Sequence, residues 1–289
     1  MFVNGDNLTQ KENHKTKYTD TLSKQYLVEI REKYEIWKEA NLALEGPFTV
    51  NSQDDIYTIS ERVRLFSEYK DFLDQQHYAE KFDSRSNLHS SVLEEFMYYL
   101  FKDLVSDFSD SALIGKARAF KDIYFQSKSY EEMVEKPNIH IEIKDHDFVI
   151  GVNIEAKMQC SGKIGIQTEN LQIPAVAIEC KTYLDKTMLE GISNAGEQLL
   201  AKNPNTLYIV VAEWLKLTEK VNLKKYKVDQ IFVLRKQKNT DREFRYLSSY
   251  VKNPIYVDVT LNLFNMVRDH LTNPWEGSIE DMLSRGHLI

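Results

Sequence analysis

The stretch "AVAIECKTYLDKTML", from Ala175 to Leu189, joins an apolar run to a glutamate and a lysine two positions apart. In a β-strand alternate side chains share a face, so Cys180 points to one side while Glu179 and Lys181 point to the other. The residues before the pair, "IPAVAI", are apolar, and Asp185 is a good N-cap for a helix directly after it. We therefore expect a charged pair at the end of a buried strand, where a helix begins.

A Glu-x-Lys pair in that position suits hydrolysis of a phosphodiester. Carboxylate oxygens are preferred ligands of Mg²⁺, and the ion neutralises phosphate and lowers the pKa of bound water. Glu179 is the predicted metal ligand, and Lys181 would orient or deprotonate the attacking water and screen charge on phosphorus. A second carboxylate must come from a neighbouring strand. Glu142, Asp145 and Asp147 precede the next apolar run, and Asp147 opens it. The same spacing also occurs on exposed strand faces, where it has no catalytic meaning.

Composition narrows the classes of protein to consider. The 289 residues are 28% charged and 42% hydrophobic, as in ordinary globular proteins. The longest apolar run is too short to span a membrane. The two cysteines exclude a disulfide framework and indicate a reducing, cytoplasmic location. The seven histidines are scattered, and phosphate-loop, dinucleotide-binding and serine-hydrolase motifs are absent from the sequence.

A basic segment is the candidate DNA contact. The formal net charge is −7, but the segment 216–252 carries eleven basic residues against four acidic ones. A local patch, rather than the total charge, attracts phosphate. The alternative is a solvated charged face. The side chains predicted to bind DNA are Arg235, Lys236, Lys238, Arg242 and Arg245, together with Lys186 at the start of the helix after the charged pair.

The periodicity predicts an α/β fold, with a mixed central β-sheet flanked by helices and an N-terminal helical subdomain. The predicted regions are a polar tail (1–17), the helical subdomain (18–84) and a nuclease core with a DNA-contacting C-terminal part (85–289). Helices are expected at 18–44, 53–80, 90–106, 185–201, 260–272 and 278–285. Strands are expected at 138–143, 147–154, 175–181, 206–213, 229–236 and near 255–259, the first two joined by a tight "KDH" turn.

Two quoted stretches, "DFVIGVNI" from Asp147 and "PAVAIECKTYLDKTML" from Pro174, resemble the D…ExK core of the PD-(D/E)XK nuclease superfamily. More narrowly they resemble a small family of type II restriction endonucleases that cut interrupted sites of the CCTNAGC type. The likeness extends to "SSVLEEFMYYLF" and "IFVLRKQK", and so covers roughly residues 86–240 discontinuously. His146 stands where the superfamily's nominal motif has proline.

The resemblance implies a role for each matched residue. Asp147 and Glu179 would bind the metal, and Lys181 would be the catalytic lysine. The family pattern adds Glu95 as a helix-borne glutamate near the metal. A helical wheel leaves open whether Glu94 or Glu95 faces the cleft, and both could instead simply be favourable charges at a helix N-terminus.

The expected function is Mg²⁺-dependent, sequence-specific cleavage of double-stranded DNA to give 5′-phosphate and 3′-hydroxyl ends. The expected assembly is a homodimer, or a heterodimer with a related subunit, because two-fold symmetry matches a palindromic site and two different subunits allow an asymmetric one. Two alternatives are a structure-specific repair or recombination nuclease and a catalytically silent DNA-binding subunit of the same fold. No membrane association is expected.

Overall fold

The computed structural model of the protein describes residues 2–82, 87–218, 220–239, 247, 249–275 and 279–286. The helices are α1 (Val3–Glu12), α2 (Thr21–Ala43), α3 (Asp55–Leu73), α4 (Gln76–Lys81), α5 (Leu88–Ser106), α6 (Tyr130–Glu135), α7 (Lys186–Leu200), α8 (Val257–Thr272) and α9 (Ile279–Arg285). The strands are β1 (Leu113–Phe125), β2 (Ile139–Gln159), β3 (Ile166–Leu184), β4 (Leu207–Leu215) and β5 (Gln230–Val233). Across these residues, none of the helices is both long and apolar enough to traverse a lipid bilayer.

The five strands form one sheet in the order β1-β2-β3-β4-β5. The pairs β1/β2 and β2/β3 are antiparallel, whereas β3/β4 and β4/β5 are parallel. A parallel pair needs a crossover connection, and α7 supplies the one between β3 and β4. The mixed sheet flanked by helices confirms the predicted fold class.

Each face of the sheet carries its own apolar cluster. On one face Ile178 and its alternate neighbours pack in a cluster with α5 and α8, to which Phe96 and Phe264 contribute. On the other face Val210 packs in a second cluster with Leu189 of α7. Because both faces are covered, the strands in the middle of the sheet are near-continuous apolar runs. In the middle of the sheet, polar side chains therefore meet solvent at the ends of the strands, whereas β2 is also exposed along much of its length.

The N-terminal helices share the first of these clusters. The ring of Phe66 in α3 stacks on Phe96 in α5, with centroids 4.4 Å apart. Trp37 of α2 stacks on Tyr69 of α3 at 5.0 Å. The helices predicted as a subdomain thus pack directly on the helix that covers the sheet, and residues 83–86, where the boundary was predicted, lie outside the described residues.

Residues 3–12 form α1, so the polar tail predicted for 1–17 is wrong over that span. The residues of α1 that become buried are Asn4, Gly5, Leu8 and Lys11. Leu8 is the one large apolar side chain among them, so no hydrophobic periodicity marks this helix. Polar contacts to distant residues hold it in place, and those contacts leave no local pattern in the sequence.

The strand predictions need three corrections. The two strands expected at 138–143 and 147–154 form one strand, β2, which runs through the "KDH" residues without a turn. β1 was not predicted. The residues near 255–259 do not form a strand, because Tyr256 is the N-cap of α8. Polar residues on the exposed part of β2 imitate the composition of a turn, which explains the first error.

Candidate active site

The ladder between β2 and β3 brings the predicted catalytic residues together. Phe148 pairs with Ile178 in the antiparallel register, which places the preceding Asp147 beside the following Glu179. The pairing of β1 with β2 shifts between Gly115 and Ala117, next to Asp147. A β-bulge of this kind re-aims side chains and is frequent beside active sites. The sheet therefore delivers Asp147 and Glu179 to one point from neighbouring strands.

Lys181 joins the two carboxylates. Its Nζ lies 2.5 Å from Oδ2 of Asp147 and 3.0 Å from Oε2 of Glu179. The backbone N–H of Cys180 donates to the same Oδ2 at 2.9 Å, which fixes the aspartate on β3. The three residue types predicted from the D…ExK pattern thus form one hydrogen-bonded group.

Glu179 is held in its ionised form from several directions. Nδ1 of His146 lies 3.0 Å from its Oε1, and the hydroxyl of Tyr208 donates to the same oxygen at 3.4 Å. Burial of Glu179 opposes ionisation, but the hydrogen bonds and charges of His146 and Lys181 outweigh it and lower the pKa of the carboxyl to about 2. Glu179 is therefore a carboxylate throughout the neutral range.

The same contacts act on Lys181 in the opposite sense. Burial alone would lower the pKa of its ammonium, but the charges of Asp147 and Glu179 and their hydrogen bonds raise it above the ordinary value. Lys181 is therefore an ammonium at neutral pH. In this state it can orient a water molecule or neutralise negative charge, and it cannot accept a proton.

Glu94 and Glu95 are neighbours on α5 with different surroundings. Glu94 lines the cleft beside Asp147, and its Oε2 accepts a hydrogen bond from Nζ of Lys116 at 3.3 Å. Burial raises the pKa of the Glu94 carboxyl, and the charge of Asp147 raises it further. Two carboxylates thus approach each other without full compensation.

Glu95 points away from the cleft and is fully buried. Its Oε2 accepts from the backbone N–H of Asn4 at 2.8 Å, and its Oε1 accepts from the hydroxyls of Tyr34 and Tyr99 at 3.0 and 2.6 Å. The prediction that Glu95 lies near the metal is therefore wrong. The glutamate of α5 that faces the cleft is Glu94.

The cleft at this edge of the sheet has a volume of about 650 Å³. Asp147 and Lys181 lie in its wall together with Glu94 and Lys116, and α1 contributes Asp6, Asn7 and Gln10. Glu179 lies behind Asp147 and Lys181 and is nearly buried. The cleft therefore combines an open polar wall with a buried, hydrogen-bonded carboxylate.

The donor set can be tested against the predicted Mg²⁺. Across the described part of the chain, no three or more His, Cys, Asp or Glu side chains are grouped as a ready metal site. Mg²⁺, however, commonly binds through one or two carboxylates and keeps several waters. Asp147 and Glu94 line one cleft, and their repulsion contributes to the raised pKa of Glu94. A cation between such groups relieves that repulsion, so these two residues fit a Mg²⁺ ion.

The predicted DNA-binding residues fall into three groups. Arg235 is buried, with Nε 3.5 Å from Glu213, Nη1 donating to the carbonyl of Asn253 at 2.7 Å and the guanidinium over the ring of Trp214. These contacts correct the prediction that Arg235 binds DNA. Arg242 and Arg245 lie outside the described residues.

The remaining three lysines are exposed. Lys236 pairs with Asp258 at 2.5 Å, and Lys186 lies 3.7 Å from Glu190 one turn along α7. Lys238 is exposed next to β5. Their contact with DNA stays a prediction.

Sequence reasoning missed three residues of the site. His146 is a departure from the superfamily motif, yet its ring contacts Glu179. Tyr208 looks like an apolar strand residue in the sequence, and Lys116 lies on the strand that was not predicted. A signal was present for His146 alone, because it directly precedes Asp147. Cys180 was expected on the strand face opposite Glu179 and Lys181, and it is buried, which raises the pKa of its thiol well above the ordinary value.

Comparisons with known proteins agree with this architecture. A solved structure described as "native BbvCI A2B2 tetramer at low resolution" matches with a TM-score of 0.67 over 93% of this chain and 96% of that chain, at 15% identity. At this identity the likeness shows the fold. No curated protein matches in sequence. The family model of the Bpu10I restriction endonuclease matches residues 85–288. The chain therefore belongs to the Bpu10I restriction endonuclease family.

Proposed function

We propose that this chain is a subunit of a type II restriction endonuclease of the PD-(D/E)XK superfamily. It hydrolyses double-stranded DNA with Mg²⁺ and leaves 5′-phosphate and 3′-hydroxyl ends. The observation that carries the proposal is the position of the Lys181 ammonium, 2.5 Å from Asp147 and 3.0 Å from Glu179 at an open cleft. A nuclease family and a cleft lined by an acid pair and a lysine support the same chemistry.

In this proposal Asp147 and Glu94 would hold Mg²⁺, and the buried Glu179 carboxylate behind them would add negative charge and keep Lys181 in place. When bound, the ion neutralises the phosphate and lowers the pKa of a coordinated water. Lys181 remains charged, so its part is to orient the attacking water and stabilise charge on the phosphoryl oxygens. His146 and Tyr208 hold the Glu179 carboxylate in one orientation.

We propose an interrupted recognition site of the CCTNAGC type, on the strength of the sequence resemblance. That site is not palindromic, so a two-fold symmetric homodimer would not match its two halves equally. An assembly with a related second subunit would match the two different halves of the site. The similar solved structure is that of an A2B2 tetramer of BbvCI, which supports assembly with a related subunit over a homodimer.

The exposed lysines are the proposed phosphate contacts in the described residues. Lys186 begins α7 and Lys238 follows β5, while Lys236 shares its charge with Asp258. We also propose Arg242 and Arg245 for this role on the sequence alone. The two cysteines are free, which supports the cytoplasmic location predicted from their number.

Plasmid DNA incubated with the purified enzyme, its co-purifying subunit and Mg²⁺ tests the proposal. Discrete fragments whose ends carry 5′-phosphates are expected, and end sequencing gives the site and cut positions. Lys181→Ala should lower the cleavage rate by about 10²–10³-fold, with DNA binding retained. Preference for branched DNA would instead indicate a structure-specific nuclease. Binding without cleavage would indicate a silent subunit, and loss of both binding and cleavage in Lys181→Ala would contradict the role of the lysine.

A further inference from the structure

The helix α1 forms one wall of the active-site cleft. Its buried side carries Asn4, Gly5 and Leu8 and packs against α2 and α5, and Asn4 also accepts a hydrogen bond from Tyr69 of α3. Its other side presents Asp6, Asn7 and Gln10 to the cleft. Residues three and four apart lie on one face of a helix, so these three form a continuous polar surface.

The first turn of α1 is held by a glutamate from another helix. Two orphan N–H groups of that turn, those of Asn4 and Gly5, donate to Oε2 of Glu95 at 2.8 and 3.4 Å. The N-cap residue Phe2 has no side chain that could accept these bonds. A carboxylate at a helix N-terminus is also favoured by the helix dipole. Glu95 therefore caps the N-terminus of α1 from another helix.

The Asn4 side chain completes the attachment. Its amide donates to the carbonyl of Leu88 at 3.0 Å and to the hydroxyl of Ser91 at 2.9 Å, and its Oδ1 accepts from the hydroxyl of Tyr69 at 2.9 Å. A Cβ on Gly5 would lie 2.4 Å from the hydroxyl oxygen of Tyr34, so glycine permits this close approach. The helix is thus fixed to α3 and α5 in a defined position, which a recognition element requires.

The side chains on the cleft side of α1 are unsuited to binding phosphate. Asp6, Asn7 and Gln10 include no cation, and the lysine of α1, Lys11, lies on the buried side. A carboxylate repels phosphate. Amide side chains pair with adenine in two hydrogen bonds, and carboxylates accept from the amino group of cytosine. Asp6, Asn7 and Gln10 therefore match the hydrogen-bonding groups on base edges.

Resting on the proposed function, we propose that α1 reads base edges close to the scissile phosphate, with Asn7 and Gln10 as specificity-determining residues and Asp6 beside them. Asp147 and Lys181 lie in the same cleft, so the bases in reach are those next to the cut. Glu95 acts as a positioning residue, because it fixes the helix and does not touch DNA.

Discrimination between DNA sequences tests this role. The enzyme, purified with its co-purifying subunit, is assayed for kcat/KM on duplexes carrying the cognate site and on all its single base-pair changes. Asn7→Ala and Gln10→Ala are each expected to lower discrimination at one base pair by about ten- to a hundredfold, with discrimination at other positions unchanged. Gln25→Ala is the matched control, since it removes an exposed amide from α2, away from the cleft.

The salt dependence of DNA affinity separates a base contact from a phosphate contact. Loss of a base contact leaves the slope of log affinity against log salt unchanged. A uniform loss on every duplex with a shallower slope would assign these side chains to phosphate and overturn the proposal. Unchanged discrimination in both variants would overturn it as well. If Asn7→Ala lowers the melting temperature, the discrimination measured for Gln10→Ala decides the test, because Gln10 is exposed. Failure of the wild-type enzyme to cut any site would overturn the proposed function itself.

Discussion

Two clusters of charged side chains lie at the ends of adjacent parallel strands, one on each face of the sheet. On β3, Glu179 and Lys181 meet Asp147 at an open cleft. On β4, Glu213 lies 2.8 Å from Nζ of Lys70, and both side chains are fully buried. The chemistry of the two clusters is similar. Their access to solvent differs, and access decides which can serve a substrate.

The buried cluster joins helices to the sheet. Arg235 approaches the second oxygen of Glu213 at 3.5 Å, and Nζ of Lys70 donates to the carbonyl of His89 at 3.4 Å. The cluster thereby ties α3 and the start of α5 to the ends of β4 and β5. An arginine that looks like a DNA contact in the sequence is part of this internal structure. Basic composition alone therefore does not identify a binding surface.

Lys70→Ala should produce the largest change in stability and the sharpest separation of the clusters. Removal of one partner from a buried ion pair leaves Glu213 poorly compensated and costs about 3–5 kcal/mol of unfolding free energy. Urea titration at pH 7 measures this loss. Lys181→Ala is the comparison. Because Lys181 is partly exposed to solvent, water can compensate Asp147 and Glu179 in the variant, and the loss of stability should be smaller. Equal losses in the two variants would show that solvent access does not distinguish the clusters.

The pH dependence of stability should sharpen the description of the open cluster. The pKa of Glu179 is lowered from 4.5 to about 2, so the unfolded chain binds this proton more readily than the folded one. The stabilisation is complete above pH 4.5 and is lost as the pH falls from 4.5 towards 2. In Glu179→Gln, the loss of unfolding free energy between pH 6 and pH 3.5 should be smaller than in the wild type by about 1 kcal/mol. An identical acid profile in the two proteins would contradict the shift.

Glu94→Gln should give the smallest change in stability and a change of opposite sign. The pKa of Glu94 is raised, so its ionised form opposes folding at neutral pH when no cation is bound. The variant should therefore gain up to about 1 kcal/mol in EDTA, measured by thermal unfolding. Its cleavage in Mg²⁺ should fall by about 10²-fold.

Glu95→Ala is the matched control for Glu94→Gln, because it leaves the N–H groups of Asn4 and Gly5 and the two tyrosine hydroxyls without their acceptor. It should destabilise the protein by more than about 2 kcal/mol. A gain of stability in Glu95→Ala, or a loss in Glu94→Gln, would reverse the assignment of the two glutamates.

The sequence predicted the centre of the sheet well because the signal there is local. The apolar lead-in to Glu179 and the Asp185 cap mark the end of β3 and the start of α7, and Asp185 does accept from the N–H of Met188 at 2.8 Å. The meeting of Asp147, Glu179 and Lys181 followed from the same pattern and from the family resemblance.

What the sequence could not show depends on contacts between distant residues. The wheel of α5 could not choose between Glu94 and Glu95, because the choice is made by Asn4, Tyr34 and other partners far away in the chain. The burial of Arg235 depends likewise on Glu213 and on the loop near Asn253. β1 has no clear apolar alternation, since much of it is partly exposed on both sides.

The attachment of α1 has a consequence for the order of folding. The hydrogen bonds that hold Asn4 join residues between 65 and 91 positions apart. α1 precedes α3 and α5 in the chain, so its docking surface does not exist until both of those helices have been synthesised. Long loops must close before such contacts form. Because α5 ends at Ser106, before the strands that carry Asp147, Glu179 and Lys181, every partner of Asn4 is present before those strands are made. The wall that α1 forms can therefore dock ahead of the sheet, and a chain arrested at this point would have one wall of the cleft without its charged centre.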